Sequence, residues 1–244
     1  MDDKRVRFEL IIRYFLNPMR PFPRVEPVYL STFVKNFLLI SGQERTDFSI
    51  IQHTHNRQET PDPAIRGVML GINKVYSLYA ETPHLGALKA EHLDAVAGLV
   101  QTALGASPTT GPALPAHRGP GDPIPIGCLT TVDGTTTLER SLERMRALES
   151  ASALQKAQFA WLLPFRWAFS APYLSRNLET GVMIFLLLRM HWGLPFHLYG
   201  WTREELWRVR NAYSQWWLRH DLWEDPDLLP DLPDREPKLI GTEL

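Results

Sequence analysis

The sequence predicts a mostly α-helical domain with one small β-hairpin, and three observations lead there. Apolar residues recur at three- and four-residue steps in two stretches: Ile65, Val68, Met69, Ile72, Val75, Tyr76 and Tyr79, then Leu93, Val96, Ala97, Val100 and Leu104. That spacing lines one face of a helix. Two further apolar runs, 152–168 and 173–192, flank an irregular piece holding Ser170, Ala171 and Pro172. Finally, PIGCLTTVDGTTTL has β-formers on both sides of Asp133 and Gly134, a pair that favours a tight hairpin turn.

The remaining elements follow in chain order. Residues 4–16 fit a helix that the proline-rich NPMRPFPRVEP then breaks. PVYLSTFVKNFLLI at 27–40 reads as a helix ended by Ser41 and Gly42. DFSIIQHTHNRQETPDP is irregular and polar. A long proline- and glycine-rich loop runs from Gly105 to Gly127, a length that marks a functional or mobile segment. After the expected hairpin, Thr137 is the expected cap of a helix beginning LERSLERMRALES. Thr202 and Glu205 form a capping box that opens a helix of about six turns. Residues 223–244 are acidic and proline-rich, and are expected to be an extended or disordered tail after a single domain over 1–222.

The totals exclude several classes. At 244 residues the chain can bury a sizeable core. A net charge of -1 supplies no overall field to draw it to nucleic acid or an anionic membrane. Cys128 is the single cysteine, which rules out an internal disulfide and a cysteine-rich zinc site and suits a reducing, cytoplasmic location. The N-terminal stretch is not a good signal peptide, because charges interrupt it. The apolar run from Leu178 to Met190 contains Glu179 and Arg189 and falls short of the roughly 20 residues a bilayer requires, so it reads as a core helix. Walker, dinucleotide and HExxH motifs are missing, which disfavours the commonest nucleotide- and metal-dependent chemistries, and no cofactor is expected. Of eight tryptophans, Trp192, Trp201, Trp207, Trp216, Trp217 and Trp223 crowd the C-terminal part. They fill seams between helices or form a partner-binding face.

The order of elements is specific: an amphipathic helix bearing Asn73, another helix, a long loop with an arginine, a hairpin, a helix, and two helices joined near Pro164 and Phe165. PAHRGPGDPIPIGCLTTVDGTTT, LQKAQFAWLLPF and SRNLETGVMIFLLLRMHWGLPF carry this order, which over residues 45–200 resembles the Fic (filamentation induced by cAMP) family. The resemblance implies a helical bundle with a β-hairpin flap over a site at a His-Pro-Phe-x-x-Gly-Asn-Gly-Arg-x-x-Arg loop, where AMP is transferred. Here Leu163 stands where the family has its histidine base, and a leucine cannot take a proton. Residues 166–172 lack the glycines that turn amide N–H groups toward phosphate, and Pro172 has no N–H to give. A base contributes roughly 10²–10⁴-fold, so these replacements argue against His-dependent AMP transfer.

The candidate site residues follow from that frame. Arg166 and Arg176 flank the break, with Ser170 and Asn177 nearby; two guanidinium groups can grip a phosphate or carboxylate, and either can instead be solvated or pair with Glu179. Arg118 is the arginine before the expected flap, and the adjacent His117 is the acid–base candidate. Tyr173–Arg176 is expected near a helix start, which attracts anions. His53, His55 and Glu59 match no strong zinc pattern, and His191 reads as a dipole partner at a helix end. Two functions are carried forward. One is a Fic-like pseudoenzyme that scaffolds a protein partner through the tryptophan-rich C-terminal helix. The other is a divergent transferase for an anionic, phosphate- or carboxylate-bearing small molecule.

Overall fold

A computed structural model describes residues 27–43, 45–46, 49–50, 62–105, 116–124, 128, 130, 132–193 and 211. The helix expected at 4–16, the histidine–glutamate group at 53–59, the tryptophan-rich helix from 202 (Asn211 apart) and the acidic tail lie outside them. The described residues are mostly helical and contain no strand. They form α1 (Pro27–Ile40), α2 (Pro63–Glu81), α3 (Ala90–Leu104), α4 (Gly134–Ala147), α5 (Ala153–Ser170) and α6 (Asn177–Trp192). Among them, no helix is long and apolar enough to cross a membrane.

Local chemistry sets the boundaries. α1 ends where Gly42 adopts φ 74°, a left-handed conformation natural to glycine, and the Gln43 N–H donates to Leu38 O at 2.8 Å. Asp62 caps α2 through the N–H groups of Ala64 and Ile65, with Pro63 in the first turn, where a missing N–H is harmless. Ser152 and Gln155 form a reciprocal capping box at the start of α5.

α6 is the central helix. Every residue from Gly181 to Met190 is buried, which explains why this stretch is apolar on all sides but for Arg189. α1, α2, α3 and α5 all contact it. The closest approach is to α5: a Cβ at Gly181 would lie 2.8 Å from Pro164 Cα and 3.0 Å from Trp167 Cβ. The α2–α3 seam is equally tight, since a Cβ at Gly67 would lie 2.0 Å from Ala103 Cβ. Pro164 sits inside α5, where an interior proline costs about 3 kcal/mol. Its surroundings (Leu162, Leu163, Phe165 and Trp167, all buried) offset that cost.

Two expectations are corrected. Asp133 and Gly134, predicted as a hairpin turn, are the N-cap and first residue of α4; the Asp133 carboxylate accepts from Thr136 N–H at 3.0 Å. The threonines read as a β-arm complete the first helical turn, and the cap is Asp133 rather than Thr137. A side chain that bonds the helix's first N–H groups outweighs the β-preference of threonine. The break between the last two helices also starts later than expected. α5 continues through Pro164 and Phe165 to Ser170, and the turn occupies residues 171–176.

Gly181→Ala is expected to force α5 and α6 apart and destabilise the protein by about 1–3 kcal/mol, the usual range for overpacking. Thermal denaturation against wild type measures this, and an unchanged melting temperature would refute the contact.

Candidate functional site

The turn after α5 is held by a buried arginine. Ala171 ends the helix with φ 43°, which costs a non-glycine residue roughly 1–2 kcal/mol. Beside it, residues 116–118 run antiparallel to 172–174: Arg118 N–H donates to Pro172 O at 3.0 Å, and Leu174 N–H donates to Ala116 O at 3.2 Å. The start of α4 joins them, with Gly134 N–H donating to Arg118 O at 2.6 Å. This junction requires glycine, since a Cβ there would meet Pro172 O at 1.9 Å. The Arg118 side chain lies inside the junction, 2% exposed, and donates from Nε to Ala171 O at 3.0 Å and from Nη2 to Ser170 O at 3.3 Å and to Val132 O.

The other predicted residues have distinct placements. Asn177 closes the turn, its amide accepting from Tyr173 N–H at 3.0 Å and donating to Tyr173 O at 2.8 Å. Ser170 donates to Arg166 O within α5 at 2.6 Å. Arg166 is fully buried, its guanidinium 4.9 Å from the centre of the Phe159 ring. Arg176 donates to Glu179 at 2.9 Å and to Leu104 O at 2.9 Å, so the pairing with Glu179 is the arrangement found. Cys128 is half-buried, with its thiol on Thr130 O. Among the described residues, no cluster of histidine, cysteine and carboxylate side chains could hold a metal ion.

His117 differs from these in bonding side chains on two helices while staying partly open to solvent. Its Nε2 lies 2.8 Å from Asp94 Oδ1 on α3, and its Nδ1 lies 3.3 Å from Thr135 Oγ1 in the first turn of α4. The Tyr173 hydroxyl donates to the same Asp94 oxygen at 2.8 Å, with the two rings 5.4 Å apart. Burial, then the neighbouring carboxylate, pushes the Tyr173 pKa far above its ordinary value, so this phenol stays a donor. The carboxylate is therefore held by two donors and the imidazole by partners on both nitrogens. Thr135 is exposed at the outer end of the chain of groups.

Sequence reasoning missed Asp94 and Thr135, and took Tyr173 only as part of an expected anion-attracting helix start. Asp94 sits next to the apolar stripe of its helix, with nothing to mark it among other surface carboxylates. Thr135 was hidden by the hairpin reading. No protein-family model matches the chain, and no curated protein or solved structure matches it either.

His191, expected as a charged dipole partner, lies in the last turn of α6 against the Tyr79 ring, with Nε2 3.2 Å from Thr82 Oγ1. Burial lowers its pKa below the ordinary 6.5, with the Glu149 charge opposing. The unfolded chain then takes up a proton before the folded one does. The contribution is complete above about pH 6.5 and is lost as pH falls toward the depressed folded value. Melting temperature is expected to drop on acidification below pH 6.5, and His191→Gln to flatten that part of the profile.

Arg118→Met is expected to strand buried carbonyls at the junction, each worth about 1–3 kcal/mol, and to destabilise by on the order of 3 kcal/mol or more. Arg118→Lys is expected to recover little, because an ammonium lacks the planar fork. Denaturant unfolding gives the magnitude, and amide exchange at residues 171–176 should rise first. A thermally neutral Arg118→Met would show that the junction holds without it.

Proposed function

We propose that the chain is a divergent Fic-like protein that has given up His-dependent AMP transfer and works as a protein-binding scaffold. The observation that carries this reading is the closure of the break upon itself. Leu163 is fully buried in α5, well before the turn, so neither a base nor a route for substrate exists at that position. The guanidinium groups of Arg118 and Arg176 bond the chain's own carbonyls and Glu179, instead of facing a phosphate. A turn built on internal bonds has little left for a nucleotide. The partner would dock on the tryptophan-rich C-terminal segment, where large aromatics can anchor an interface.

A second reading, the divergent transferase for an anionic substrate, is favoured by one feature: His117 is oriented by a carboxylate and open to solvent, as an acid–base group must be. It would bind a nucleotide or sugar nucleotide, and calorimetry would detect that.

Incubation with labelled ATP and the co-purifying partner is expected to leave no AMP on any hydroxyl. Leu163→His is expected not to create the activity, because the imidazole would enter the core. Removing residues 201–244 is expected to release the partner. AMP transfer by the wild-type protein would overturn the reading; heat or calorimetric signals from nucleotide, abolished by His117→Gln, would favour the second one.

A further inference from the structure

We propose that Asp94, His117 and Thr135 form a hydroxyl-activating site in which Thr135 accepts an acyl group from a neutral activated ester. The argument begins with proton direction. An ionised carboxylate only accepts hydrogen bonds, so the imidazole nitrogen facing Asp94, Nε2, carries the proton. In the neutral ring Nδ1 is then the acceptor. The hydrogen bond at 3.3 Å must run from the Thr135 hydroxyl to His117 Nδ1, which is the direction in which a base draws a proton from a nucleophile. Asp94 is a positioning residue: Tyr173 and His117 both donate to its Oδ1, which fixes the imidazole and its tautomer.

The electrostatics select the substrate class. The N–H groups that open α4 are turned inward: Gly134 donates to Arg118 O, Thr136 to the Asp133 carboxylate and Thr137 to Asp133 O, and the Thr135 N–H also faces the Asp133 carboxylate. The backbone and hydroxyl of Thr136 hold the Asp133 carboxyl below its usual range, so it is anionic at neutral pH. Asp94 lies behind the imidazole and Asp133 two residues before Thr135, so the site carries two carboxylates, and the first N–H groups of α4 are turned to Asp133 and Arg118 rather than outward to a phosphate. An anionic substrate is repelled and a neutral ester is not. This differs from the anionic transferase reading above, with which it shares only His117.

The step balances without a cofactor. Thr135 Oγ1 bonds to the ester carbonyl carbon while its proton passes to His117 Nδ1. The bond from carbon to the alcohol oxygen breaks, and the departing oxygen takes that proton. Water, deprotonated by the same nitrogen, then releases the acid and restores the threonine.

The test treats the full-length protein with p-nitrophenyl acetate and follows p-nitrophenol release and acetyl position by peptide mass spectrometry. Acetyl on Thr135 is expected, with release slowed roughly 10²-fold in His117→Gln. Thr135 is exposed, so Thr135→Val keeps the fold and is expected to lose labelling, whereas Thr135→Ser keeps it, now on serine. Asp94→Asn is expected to lose labelling and to move the His117 proton from Nε2 to Nδ1, read by nitrogen-15 resonance, a change that loss of packing alone would not give. Acetyl found only on lysines or the N-terminus, or unchanged release by Thr135→Val, overturns the proposal. Neither result bears on AMP transfer or partner release, so the two readings fail separately.

Discussion

The carbonyl oxygens of Val132, Ser170 and Ala171 converge on one buried guanidinium, and the arrangement of the turn follows from that. A chain that leaves a helix through a left-handed alanine exposes carbonyls that the helix no longer satisfies. Burying them would be costly unless a donor arrived from elsewhere in the chain, and Arg118 supplies several N–H groups from a single planar group. Its own main chain bonds Pro172 and Gly134, so one residue locks three segments distant in sequence. The bonds that stabilise the turn are made by Nε and Nη2 of that guanidinium.

Around that junction the helices are set by close backbone approach. Gly67 admits Ala103, and Gly181 admits Pro164, so α2 meets α3 and α5 meets α6 with little side-chain volume between them. Protein interiors tolerate small volume changes poorly, and these two seams fix where the ends of α3 and α5 lie. Asp94 and Tyr173 are thereby carried to within hydrogen-bonding distance although 79 positions separate them.

Periodicity made most helices legible. α1 spans the stretch 27–40 read for it, and α2 and α3 each contain every apolar position of the two periodic stretches. Helix ends were harder, because they depend on competition between local bonds. Asp133 was read as a turn former, yet it is equally a helix cap, and three threonines in succession gave no means of choosing. Pro164 suggested a break, but burial against α6 kept α5 continuous. The site was legible only in part. His117 stood out as a loop histidine beside an arginine, whereas Asp94 and Thr135 become its neighbours only through the Arg118 junction. Long-range pairing of this kind leaves no periodic trace in a single sequence.

The position of the imidazole then decides what chemistry the molecule can support. A histidine at 163 would have stood in the interior, among Leu162, Phe165 and Trp167, where desolvation disfavours the protonated form a base must reach. His117 instead stands at the surface on a strand-like segment whose main chain is pinned on both sides, with a carboxylate behind it and a hydroxyl in front. Orientation of this quality is what converts a surface histidine into a directed proton acceptor, since an unheld ring spends most of its time in unproductive rotamers. Arg118 touches none of these three groups through its guanidinium, yet it fixes the distances among them. The structural role of the arginine and the chemical role proposed for its neighbour therefore rest on one junction.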